Sequence, residues 1–80
     1  MRLISLQSSN VLSIAYDPGN EVLVAQFQNG DFYEYSGVSP DVFLSVLLDP
    51  TSQGKAFNAQ IKQGGYPYKK VSAEKYDLHV

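Results

Sequence analysis

Asn29-Gly30 constrains this chain more than any other pair of its residues. Asparagine followed by glycine between two apolar stretches is the strongest short-range hairpin signal, because a tight hairpin turn needs backbone angles that these two residues tolerate best. Before it, Glu21 to Gln28 reads as a strand, and after it Asp31 to Ser36 reads as the return strand. A further strand precedes them, where Leu12, Ile14 and Tyr16 alternate with Ser13 and Ala15 at the period of two that marks a half-buried strand. Asp17-Pro18-Gly19-Asn20 joins it to the next strand through a turn. The expected nucleus is thus a three-stranded antiparallel meander.

A two-residue loop at Asn29-Gly30 fixes the pairing. Phe27 then opposes Phe32, Gln26 opposes Tyr33, and Val24 opposes Tyr35. Leu23, Ala25, Phe27 and Phe32 fall on one face, the expected core. Val22, Val24, Gln26, Tyr33 and Tyr35 fall on the other.

The back half reads as helical. Ser39-Pro40-Asp41 combines a capping hydroxyl, a proline at the first helical position and a carboxylate suited to the positive end of the helix dipole. Val42, Phe43, Val46 and Leu47 follow at helical spacing, and Asp49-Pro50 ends the run. Thr51 or Ser52 can cap a second helix that carries Phe57 and Ile61 and stops at Gly64-Gly65. Gly54, in its first turn, suggests a close approach by another part of the backbone. Tyr66 to Val71 is expected to be extended, along a sheet edge. Residues 72–80 have little to pack against and are expected to form a flexible tail after a single domain spanning 1–71. The fold class is α+β, with two helices packed on the meander and a short extended C-terminal segment.

The order of short motifs resembles a known family. Ser8-Ser9-Asn10, Tyr16-Asp17, Leu23, Phe27, Asn29-Gly30, Tyr33-Glu34-Tyr35 and Gly37-Val38 come first. Ser52-x-Gly54, Phe57-Asn58, Ile61 and Tyr66-Pro67-Tyr68 follow. This succession is similar to the KTSC domain, named for the C-terminus of some lysyl-tRNA synthetases and found also as short stand-alone bacterial and phage proteins. The resemblance implies a small accessory domain, with RNA binding suggested by the synthetase context.

The residues themselves argue against catalysis. There is no cysteine, which removes thiolate nucleophiles, disulfides and cysteine-held zinc together. The single histidine, His79, is next to the last residue and is poorly placed to serve a serine nucleophile. Asp17, Glu21 and Asp31 lie at turns where water keeps carboxylates ionised, so no acid–base pair is evident. Asp17 to Glu21 lacks the ligand count of a calcium loop, and Gly64-Gly65 lacks the Lys-Ser/Thr of a phosphate cradle. No catalytic, cofactor or metal site is expected. The chain also lacks an apolar run long enough for a signal sequence or a membrane span, and the expected address is the cytoplasm.

Binding is the remaining class of function. Residues 1–54 hold Arg2 against six acids, whereas residues 55–80 hold five lysines against Glu74 and Asp77. Halves of opposite sign either form an interaction surface or neutralise each other on folding. Tyr33 and Tyr35 can stack unpaired bases from an open sheet face, or they can pack in the core. Lys62, Lys69 and Lys70, with Tyr66 and Tyr68, can supply phosphate contacts and stacking, or else solvate and protect a sheet edge. These seven residues are the candidate site. The expected partner is RNA or single-stranded nucleic acid, bound weakly because the protein is acidic overall. The alternative is a protein-interaction or homodimerising module, since tyrosine-rich, charge-poor surfaces and open strand edges suit protein partners.

Overall fold

A computed structural model describes all residues, 1–80. Five strands form one antiparallel sheet in chain order: β1 (Ile4–Ser5), β2 (Val11–Asp17), β3 (Val22–Phe27), β4 (Phe32–Ser36) and β5 (Tyr68–Val71). The expected three-strand meander is therefore its centre, flanked by β1 and by β5, the extended segment anticipated at an edge. Helix α1 (Pro40–Leu47) and helix α2 (Gln53–Phe57) lie between β4 and β5. A π-helical turn, Asn58–Lys62, extends α2.

The helix starts follow their capping residues. Ser39 Oγ accepts the Val42 amide, with Pro40 at the first helical position. Asp49 ends the connection by accepting the amides of Thr51 and Ser52 at 2.9 and 2.7 Å. These bonds hold its carboxyl below the usual aspartate range. Of the two residues that could cap α2, Ser52 does so, accepting the Lys55 amide at 3.2 Å. Gly54 is explained by packing: a Cβ there would stand 2.5 Å from Ser8 Oγ.

The central hairpin departs from the expected register by one residue. Leu23 opposes Tyr35, Ala25 opposes Tyr33, and Gln26 opposes Phe32. Two hydrogen bonds show why. The Gly30 amide donates to the Phe27 carbonyl and the Phe27 amide to the Asp31 carbonyl, both at 2.9 Å. The loop therefore has three residues, Gln28, Asn29 and Gly30. Only Gly30 has positive φ, at 91°, whereas a two-residue type I′ turn at Asn29-Gly30 needs it at both central positions. Asn29 instead uses its side-chain oxygen to accept the Asp31 amide at 3.0 Å. Because side chains alternate along a strand, the shift moves Tyr33 and Tyr35 to the face of Leu23, Ala25 and Phe27 and sends Phe32 to the other.

Two further expectations on the strands are corrected. Glu21 belongs to the turn before β3, with φ at 54°. Leu12 is the extra residue of a bulge between Val11 and Ser13, and it is exposed although both neighbours are buried.

Both helices pack on the tyrosine face. Val46, Ala56, Phe57 and Ile61 join Val11, Ile14, Leu23, Ala25, Tyr35 and Val38 in one buried cluster. Tyr16 stacks on Phe43 of α1 at 4.4 Å between ring centroids. Its hydroxyl donates to the Val38 carbonyl, and burial pushes its pKa up.

The opposite face is not left bare. Ala15, Val24 and Glu34 are neighbours across β2, β3 and β4, and all three are buried. Residues 72–80, expected as a flexible tail, approach this face instead. A 3-10 turn, Ala73–Tyr76, brings Lys75 Nζ and the Tyr76 hydroxyl each within 2.7 Å of Glu34 Oε1. Beyond it the Leu3 amide donates to the His79 carbonyl at 2.6 Å. The physical reason is Glu34 itself: a carboxylate on a buried sheet position requires donors, and the C-terminal turn supplies two. Burial opposes its ionisation, but the bonds from Lys75 and Tyr76 and the charges of Lys75 and Lys69 outweigh it. The net effect holds Glu34 below its ordinary value of 4.5.

Two tests follow from this packing. Gly30→Val meets no steric obstacle, because nothing lies within 4 Å of a Cβ there, but it forces a branched residue to positive φ. A loss of about 1–2 kcal/mol is expected, lowering Tm by several degrees in a thermal melt. An unchanged Tm would contradict the left-handed loop. A depressed folded-state pKa stabilises above the unfolded value and is lost as pH falls. Stability should therefore decline as pH drops through and below 4.5, and Glu34→Gln should remove part of that slope in urea melts while lowering stability at pH 7. Identical slopes in both proteins would remove Glu34 from the account.

Candidate functional site

The register shift and the position of β5 create an open groove on the helix face. Tyr68 opposes Tyr35 and Lys70 opposes Tyr33, so both residues of β5 share that face. Phe27, Tyr33, Tyr35 and Tyr68 line a groove of about 320 Å³, and Lys62 from the π-helical turn completes it. The rings meet at angles, not in parallel layers. Phe27 and Tyr33 are edge to face with centroids 5.7 Å apart, and Tyr33 and Tyr68 are tilted at 6.3 Å. Lys62 Nζ stands 5.6 Å from the Phe27 ring centroid, within cation–π range. Phe57 closes the back of the groove, edge to face with both Phe27 and Tyr35.

The four aromatics differ in availability. Tyr35 is only 4% exposed, and burial, aided by the neighbouring phenols of Tyr68 and Tyr33, pushes its pKa up to about 12. It is part of the core and serves as the groove's floor. Tyr33 and Phe27 are half-buried walls. Tyr68, 66% exposed, is the free platform.

Four of the seven candidates thus come together: Tyr33, Tyr35, Lys62 and Tyr68. Lys70 lies on the same face but pairs with Asp31 at 3.5 Å. Lys69, its neighbour, points to the opposite face, across from Glu34. Tyr66 is elsewhere, half-buried against the core and packed close to Gly64. Phe27, expected in the core, packs against it and also forms a wall of the groove. The signal was present in the sequence, but only a three-residue loop reveals that Phe27 and Tyr33 share a face.

No three residues among histidine, cysteine, aspartate and glutamate come together as a metal site. No helix is long and apolar enough to cross a membrane.

Comparison with known proteins agrees with the motif order. The sequence profile of the KTSC domain matches residues 7–68. The chain belongs to the KTSC domain family. A KTSC domain protein from Yersinia pestis, solved by crystallography, superposes with a TM-score of 0.78 at 33% identity, covering 88% of this chain and 96% of that one. An uncharacterised protein of Stutzerimonas stutzeri is 37% identical over 71 residues, which is 89% of this chain and 99% of the relative. A Tsukamurella paurometabola protein is 35% identical over 57 residues, 71% of this chain and 84% of its own length. The profile match takes in every groove residue and ends at Tyr68, so the KTSC unit includes the aromatic groove.

The groove makes a test that separates floor from platform. Tyr35→Ala should cost about 3–5 kcal/mol, as truncation of a buried aromatic does, whereas Tyr68→Ala should cost well under half of that. Urea denaturation of the two variants measures the difference. Equal losses would mean that Tyr68 is structural and not available to a ligand.

Proposed function

We propose that this KTSC domain is a non-catalytic binding module that takes an unstacked base of single-stranded RNA into the aromatic groove. One observation carries this reading: four aromatic side chains and the Lys62 ammonium converge on one open groove whose outer ring, Tyr68, is largely free. A base can lie against Tyr68 and Tyr33 while Lys62 faces the adjoining phosphate, the combination of stacking and cation that sequence-tolerant single-strand binders use. The electrostatics set the strength. Lys70 is already paired with Asp31 and Lys75 with Glu34, so few cations remain for phosphates and binding should be weak and salt-dependent.

Strand addition at β5 is a second reading, favoured by a separate observation. The Ser36 amide donates to the Pro67 carbonyl at 3.0 Å, and in an antiparallel pair such bonded positions alternate. Lys69 and Val71 therefore face β4 with their backbone groups, and Tyr68 and Lys70 direct theirs outward beside the groove. That open edge can receive an extended segment of a partner protein or of a second copy.

The test is a chemical-shift titration of the labelled protein with single-stranded RNA at low and then physiological salt. Shifts should concentrate at Phe27, Tyr33, Lys62 and Tyr68 and weaken with salt. Tyr68→Ala should reduce affinity about tenfold, the scale of a lost base–aromatic stack. Lys62→Glu should do the same and flatten the salt dependence, while Lys69→Gln, on the far face, should change little. An absence of shifts at low salt would reject the RNA reading. Slowed hydrogen exchange at the Tyr68 and Lys70 amides with rising protein concentration would instead support pairing of copies at the edge, and fast exchange throughout would exclude it.

A further inference from the structure

A second concavity carries chemistry that the fold does not use. It lies between the Ser8–Asn10 turn and α2, has a volume of about 410 Å³, and has no hydrophobic residue in its lining. Nor does it contain an acid, although residues 1–54 hold six. Its side chains are serine hydroxyls, two carboxamides and one ammonium.

The two walls are held together firmly. The turn and the helix touch where Gly54 faces Ser8, so closely that a methyl group there would collide with the hydroxyl. Ser8 Oγ is fixed by accepting the amides of Asn10 and Val11 at 3.1 and 3.2 Å. Ser52 Oγ is fixed by the Lys55 amide. Both oxygens accept within the protein, Ser8 Oγ with both lone pairs and Ser52 Oγ with one, and each keeps one proton to donate. On the rim, the Ser9 hydroxyl, the carboxamides of Asn10 and Asn58 and the Lys55 ammonium form no side-chain hydrogen bond or ion pair within the protein, while Lys70 and Lys75 both have carboxylate partners.

We infer that this cleft binds the oxyanion of a phosphate monoester. The chemistry selects among ligand classes. A divalent cation needs carboxylate or several carbonyl oxygens and would meet an ammonium instead. An aromatic or aliphatic ligand would find no hydrophobic side chain to pack against. A phosphate monoester offers acceptor oxygens to every hydroxyl, amide and ammonium present, and its charge is matched by a lysine with no competing acid. The cleft is lined by residues of the turn and α2 and shares none with the aromatic groove, so its occupation does not depend on the RNA reading.

The experiment uses the full chain, labelled for NMR, titrated with sodium phosphate at constant ionic strength balanced by chloride. Saturable shifts should appear at Ser9, Asn10, Lys55 and Asn58, with Kd in the ~1 mM range or tighter. Lys55→Gln should weaken binding at least tenfold, and Tyr68→Ala should leave it unchanged. A parallel titration with a 5′-phosphorylated and a 5′-hydroxyl dinucleotide distinguishes the source. Preference for the phosphorylated end over inorganic phosphate would identify the site with a nucleic-acid terminus. Equal response to inorganic phosphate would identify it with small phosphorylated molecules. Shifts that rise linearly without saturating, that chloride alone reproduces, or that keep the same affinity in Lys55→Gln would overturn the inference.

Discussion

The loop that joins β3 to β4 governs the rest of this molecule. Three residues, with Gly30 alone in the left-handed region, set Leu23 opposite Tyr35 and Ala25 opposite Tyr33. A loop one residue shorter would carry both tyrosines to the other face, away from Phe57. In the observed register Phe57 touches Phe27 and Tyr35 together, so one helical side chain anchors both the core and the back of the groove. The groove is therefore a continuation of the core: its floor, Tyr35, is buried, and its rim, Tyr68, is exposed.

The two faces of the sheet resolve the charge asymmetry of the chain. On the helix face, Lys62 stands over Phe27 and Lys70 reaches Asp31. On the other, Glu34 draws in Lys75 and the Tyr76 hydroxyl and lies across from Lys69. Two of the five lysines of residues 55–80, Lys70 and Lys75, thus pair with carboxylates of residues 1–54. The same pairing covers a second face in a chain of eighty residues, where a single-sided core has little to set against chain entropy.

Much of this was legible in the residues. The serine caps and Pro40 located the helix starts, and Gly54 indicated a close approach that Ser8 makes. Tyr66-Pro67-Tyr68 indicated an extended edge. Four of the seven candidate residues meet in one groove. What the sequence concealed was non-local or depended on a single count. Asn29-Gly30 is compatible with loops of two or three residues, and the difference reverses every side chain of β4. Lys69 and Lys70 look like one cationic pair in the chain, but a strand sends neighbours to opposite faces. The docking of residues 72–80 depends on Glu34, some forty residues earlier, and composition alone offers no sign of it.

The register can be read directly from α-proton contacts across the β3–β4 hairpin in a nuclear Overhauser spectrum. The observed loop makes Val24 and Glu34 a non-hydrogen-bonded pair, whose α-protons lie close together. A strong Val24–Glu34 contact, with another between Gln26 and Phe32, would establish the face on which the tyrosines and the groove are built. A strong Ala25–Glu34 contact in their place would mean a two-residue loop, with Tyr33 and Tyr35 on the opposite face and no aromatic groove of this kind.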